Sequence, residues 1–76
     1  GNEDYKSILQ RIVQQTPEEV LEYRMVGESG PPHDRVFEFE VYLNSNLLGK
    51  GTGRSKREAE QHAAKEALIL FGEIEG

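Results

Sequence analysis

Apolar residues near the start of the chain fall at Tyr5, Ile8, Leu9, Ile12 and Val13, the i, i+3, i+4, i+7, i+8 spacing of one helical stripe. This predicts a helix from about Asp4 to Gln15. Asp4 supplies the N-cap, and Pro17 enforces the end, because the residue before a proline avoids helical backbone. Thr16-Pro17-Glu18-Glu19 has capping-box spacing with proline at N1, which predicts one short helical turn. The period then changes to two. Leu21, Tyr23 and Met25 alternate with Glu22, Arg24 and Val26 in a strand that runs to Glu28. Gly30-Pro31-Pro32-His33-Asp34 is dense in turn formers and predicts a loop. From Arg35 to Leu43, Phe37, Phe39, Val41 and Leu43 alternate with Glu38, Glu40 and Tyr42, a strand with one buried and one wet face. Asn44-Ser45-Asn46 marks a hairpin turn, and Leu47 to Thr52 a third strand weakened by Gly49 and Gly51.

Helical spacing returns after Ser55. Ser55-Lys56-Arg57-Glu58 is a second capping box, with Ser55 as N-cap and Glu58 at N3, and opens a helix reaching about Phe71. Ala59, Ala63, Ala64, Ala67, Leu68 and Phe71 form its inward face, and the four alanines let its axis lie close to the sheet. The predicted fold class is α+β, in the order α-β-β-β-α. Two helix stripes and one apolar face of a three-stranded antiparallel sheet place both helices on the same side, leaving the other sheet face to water.

Seventy-six residues suffice for a single domain, with a core from about residue 4 to 71. The chain has no cysteine, which excludes disulfides and cysteine-ligated zinc and fits a cytoplasmic location. Its longest apolar run, Ala67 to Phe71, is far short of the ~20 residues of a membrane span. No signal peptide is visible, and Gly1 reads as the remnant of an expression tag.

The net charge of −5 argues against a polyanionic partner. The distribution argues for one. Lys50, Arg54, Lys56 and Arg57 occur within eight positions that hold no acid. A phosphate backbone responds to the field within about 8–10 Å, so a basic corner on an acidic domain suffices.

That corner is also the sharpest motif. Gly51-Thr52-Gly53-Arg54-Ser55-Lys56-Arg57 runs a glycine loop into a capped helix. Free N–H groups and the positive dipole end attract anions, Lys56 and Arg57 add charge-assisted bonds, and Gly53 permits close approach of the backbone. This is either a phosphate clamp or an ordinary capped helix with solvated cations; cations gain nothing from the dipole there, which favours the clamp. The order of a nucleotide-binding P-loop is absent. On the first helix, Ser7, Gln10, Arg11 and Gln14 form a stripe opposite the core, suited to 2′-hydroxyls and base edges or simply to water. His33, at a loop tip beside Pro32, is placed to enter a groove or to remain solvated. His62 is a surface helix residue. No metal-ligating or nucleophile–base constellation occurs.

Together these segments resemble the double-stranded RNA-binding domain family. The resemblance lies in Asp4-Tyr5-Lys6-Ser7-Ile8-Leu9-Gln10, Gly30-Pro31-Pro32-His33, Phe37-Glu38-Phe39-Glu40-Val41, and Gly51-Thr52-Gly53-Arg54-Ser55-Lys56-Arg57-Glu58-Ala59-Glu60 with Ala63-Ala64. Within the family, the opening segment and Glu58-Ala59-Glu60-Gln61 are most similar to the C-terminal domain of bacterial ribonuclease III. The resemblance implies that Ser7, Gln10, Arg11 and Gln14 lie in one minor groove and Pro32 and His33 enter the next. Arg54, Ser55, Lys56 and Arg57 would straddle the phosphates between, a span of about 16 base pairs. It further implies a non-catalytic fragment that binds double-stranded RNA as a monomer, without cofactor, small-molecule substrate or membrane. Magnesium, homodimerisation and a role in RNA processing, rRNA processing included, are expected of a parent endonuclease. The chain departs from the family at Glu60, where lysine is frequent, at Arg11, where glutamate would be expected, and at Leu21, where proline is common. The competing expectation is a protein-interaction module on the same fold.

Overall fold

The computed structural model describes residues 4–76; Gly1, read above as a tag remnant, and the two residues after it lie outside the described part. The elements are α1 (Tyr5–Val13), β1 (Leu21–Ser29), a 3-10 turn (Pro32–Asp34), β2 (Val36–Leu43), β3 (Asn46–Gly53) and α2 (Lys56–Leu70). The strands form one antiparallel sheet in the order β1-β2-β3. This is the α-β-β-β-α arrangement expected from the pattern. Leu9 and Val13 of α1, Val41 of β2, and Ala63, Ala64, Ala67 and Leu68 of α2 form the buried core, flanked by Leu21, Tyr23 and Leu43.

β3 meets α2 at unusually short range. Gly49, Gly51 and Gly53 are buried at alternate positions of the strand. A Cβ on Gly49 would stand 2.5 Å from the Ala63 carbonyl oxygen, and one on Gly51 would run into the Ala63 nitrogen and the Ala59 oxygen. The glycines expected to weaken the strand therefore let the helix backbone rest against it. What each loses in strand propensity is offset by burial of Ala59, Ala63 and Ala67, all fully buried.

The structure departs from the sequence pattern in several places. α1 stops at Val13, with Gln14 as C-cap and Gln15 and Thr16 bonding back to Ile12 and Val13. The helical turn expected from Thr16-Pro17-Glu18-Glu19 does not form, because Glu18 adopts φ +70°, outside the helical region. Met25, which alternation puts on one face with Leu21 and Tyr23, is exposed. The register of β1 slips between Met25 and Gly27, and the core takes in Leu21 and Tyr23 but not Met25 on this edge strand. Phe71 is likewise 40 % exposed rather than inward. Gly72 at φ +75° reverses the chain, Glu73 N–H bonds the Leu68 carbonyl and Gly72 N–H that of Ile69, and Ile74 packs against the core instead.

Candidate nucleic-acid interface

The N-terminus of α1 is built onto α2. The Asp4 carboxylate accepts the Ser7 N–H at 3.1 Å and the Ser7 hydroxyl at 2.8 Å, the N-cap expected from sequence. It also accepts the Gln61 side-chain amide at 2.8 Å, and Gln61 Oε1 in turn accepts the Lys6 N–H at 3.2 Å. The Gln61 bond, the Ser7 bonds and the nearby Arg57 guanidinium hold the Asp4 carboxyl down at about 2. Lys6 Nζ pairs with Glu60 at 2.9 Å, which gives the glutamate that departs from the family pattern a local purpose. Beneath them burial, reinforced by the charges of Glu60 and Asp4, pushes the Tyr23 phenol up to about 12, and its hydroxyl has no partner among the described residues.

Ser7, Gln10, Arg11 and Gln14 are all exposed on the outer face of α1, as the spacing required. Ser7 and Gln10 line an open groove together with Asp4, Lys6, Tyr23 and Arg57. The groove joins the face of α1 to the first turn of α2.

At that turn the Ser55 hydroxyl accepts the Glu58 N–H at 3.0 Å. Glu58 reaches back to the Arg54 N–H at 3.2 Å, one residue earlier than a standard capping box. Gly53 plays a different part from the one expected. A Cβ there would meet the Ala59 nitrogen at 2.7 Å, so this buried glycine admits the helix rather than a phosphate. Arg54, Ser55, Lys56 and Arg57 are exposed.

The basic cluster is less free than its sequence suggests. Lys50 lies 3.8 Å from Glu40, Arg54 3.0 Å from Asp34, and Arg57 3.8 Å from Asp4. Lys56 has no ion pair among the described residues, and its ammonium stands 6.0 Å from the centre of the Phe37 ring. Pro32 and His33 are exposed in the 3-10 turn. Gly30 enters that turn at φ +89°, and the Arg35 guanidinium bonds the Gly30 carbonyl at 2.8 Å and Glu28 at 2.6 Å. His62 is exposed, as expected, with Nδ1 2.6 Å from the Thr52 carbonyl oxygen.

Two of these ion pairs define the layout. Arg57–Asp4 marks the α2 N-terminus as lying beside α1, and Arg54–Asp34 marks it as lying beside the loop that carries Pro32 and His33. The cations thus lie between the polar face of α1 and the loop tip. Asp34, Glu60 and Gln61 went unnoticed as organisers, because their partners are remote in sequence: Gln61 and Asp4 are 57 positions apart. Among the described residues, no group of His, Asp and Glu is placed to hold a metal ion.

Comparison with known proteins identifies the family. The family model described as the double-stranded RNA binding motif matches residues 5–70. Ribonuclease 3 of Bacillus licheniformis is 55 % identical over 65 residues, covering 86 % of this chain and 26 % of that protein. Ribonuclease 3 of Halalkalibacterium halodurans is 51 % identical over 70 residues, covering 92 % and 27 %. That of Listeria innocua is 48 % identical over 65 residues, covering 86 % and 28 %. The chain thus spans little more than a quarter of these relatives. With an α-β-β-β-α fold, a capped basic helix start between two polar surfaces, and a family match over nearly its whole length, this chain belongs to the double-stranded RNA binding motif family.

Proposed function

We propose that this chain grips double-stranded RNA by its A-form shape and that it is the substrate-binding, non-catalytic part of a ribonuclease III-type enzyme. The observation that carries the reading is the order α1 face, α2 N-terminus, His33 loop, whose adjacency is marked by the Arg57–Asp4 and Arg54–Asp34 contacts. A-form RNA presents minor groove, phosphates and minor groove in the same order. Ser7, Gln10, Arg11 and Gln14 would bond 2′-hydroxyls and base edges in one groove, and Pro32 and His33 would enter the next. Lys56, with Arg54 and Arg57, would meet the intervening phosphates, while Ser55 holds the helix start that aims them. Binding would be insensitive to base sequence, because phosphates and sugars are common to every sequence. The metal-dependent cleavage, the homodimer, the cytoplasmic location and the role in rRNA processing would belong to the longer protein.

The test is a titration against duplex RNA, duplex DNA of the same sequence and single-stranded RNA. Duplex RNA should bind most tightly, with little change on altering its sequence, and no cleavage products should form with magnesium present. Equal affinity for the two duplexes would overturn the reading and favour a protein-interaction role.

A further inference from the structure

We infer that Asp34 is a built-in competitor for Arg54, a carboxylate that weakens the phosphate clamp and makes tight binding depend on the flanking groove contacts. The inference rests on the RNA-binding reading and adds a specificity-determining residue to it. Asp34 Oδ1 lies 3.0 Å from Arg54 Nη1, and this guanidinium is the carboxylate's sole side-chain partner among the described residues. A guanidinium offers the same donors to a carboxylate as to a phosphodiester. Arg54 therefore meets RNA either by leaving Asp34 or by staying neutralised.

The alternative purpose for Asp34 is to hold the His33 loop in place. That loop is already held otherwise. Arg35 bonds both Glu28 and the Gly30 carbonyl, and the Asp34 N–H bonds the Pro31 carbonyl at 3.0 Å. The Arg54–Asp34 pair is exposed, at 74 % and 50 %, and pairs this open add little to stability. Asp4 differs on this point. It also faces a clamp cation, Arg57, but its oxygens are taken up by Ser7 and Gln61.

The consequence is discrimination. A clamp with four free cations would hold any polyanion, since phosphate binding is strong and blind to sequence and strand form. With Arg54 held by Asp34, Lys56 is the clamp cation without an ion pair among the described residues. Useful affinity then requires α1 and the loop to engage two minor grooves at once, which only A-form duplex of sufficient length allows.

The experiment compares wild type, Asp34→Asn and Glu73→Gln. Glu73→Gln makes the same charge change beyond the far end of α2. Each is titrated with duplex RNA, duplex DNA and single-stranded RNA at several salt concentrations and eluted from heparin. Asp34→Asn should bind duplex RNA about three- to tenfold tighter, with a salt slope steeper by up to about 0.9. It should gain still more on duplex DNA and single strands, and elute from heparin at higher salt, whereas Glu73→Gln should match wild type. Arg54→Ala should cost more in the Asp34→Asn background than alone. Weaker RNA binding by Asp34→Asn would assign Asp34 to positioning the loop and overturn the inference, as would affinities equal to those of wild type or Glu73→Gln. If the wild type shows no preference for duplex RNA but the heparin shift and the Arg54 dependence persist, the RNA reading fails and the competition stands.

Discussion

Gly51 lies directly beneath Ala63, so close that a Cβ on the glycine would overlap the Ala63 backbone nitrogen. The clash is with helix backbone, which cannot rotate away as a side chain would. Gly51→Ala should therefore push α2 off β3 and cost about 2–4 kcal/mol, at or beyond the usual range for overpacking. Urea melts of the two proteins check this. A loss below about 1 kcal/mol would mean that the helix yields more easily than its contact with the strand indicates.

The hairpin between β2 and β3 has room for improvement. Asn44 and Ser45 both adopt positive φ, +49° and +73°, the conformation of a two-residue type I′ turn. Asparagine tolerates this, and its side chain is also used, since Oδ1 accepts the Val20 N–H at 2.9 Å. Serine gains nothing there. Ser45→Gly should stabilise the protein by about 0.5–1 kcal/mol, whereas Asn44→Gly should not, because it loses the bond to Val20. Thermal melts of both variants separate the two effects.

Lys56 should dominate the salt dependence of RNA binding. It is the clamp cation without an ion pair among the described residues, and at the first position of a helix it gains nothing from the dipole. Lys56→Ala should weaken binding and reduce the salt slope by about 0.9, with stability unchanged within about 0.5 kcal/mol. Gln10→Ala should weaken binding with the slope nearly intact, because it faces sugars and bases. Identical slope changes in the two variants would contradict the division between groove and phosphate contacts.

Acid should loosen the joint between α1 and α2. The Asp4 carboxyl titrates at about 2 in the folded protein against an ordinary 3.8, with the Gln61 bond as the largest cause. Because the folded value is the lower one, the stability it contributes is fully present above 3.8 and is lost as the pH falls towards 2. Gln61→Ala should raise the Asp4 value towards 3.8 and narrow that window. Carboxyl-carbon NMR titration of both proteins reads the shift directly, and an unmoved Asp4 resonance would show that Ser7 alone sets it.

Much of this protein was legible residue by residue. Alternation at Phe37, Phe39, Val41 and Leu43, helical spacing from Tyr5 to Val13, and caps at Asp4 and Ser55 depend on neighbours within four positions, and all reappear in the structure. The exposed face of α1 and the basic helix start were legible for the same reason. Phe71 was misplaced, and the exposure of Met25 was not legible, because whether an apolar position is covered depends on how far another element reaches. Gly53 was misread because a glycine in a sequence does not say which backbone comes close to it. The charge state of the clamp was hidden most completely. Arg54 and Arg57 stand in a run without acids, and only folding brings Asp34 and Asp4 to them from other elements. Spacing fixes what a residue shares with its own helix or strand, whereas electrostatics acts through space, and the partners of a charge are chosen by the tertiary fold.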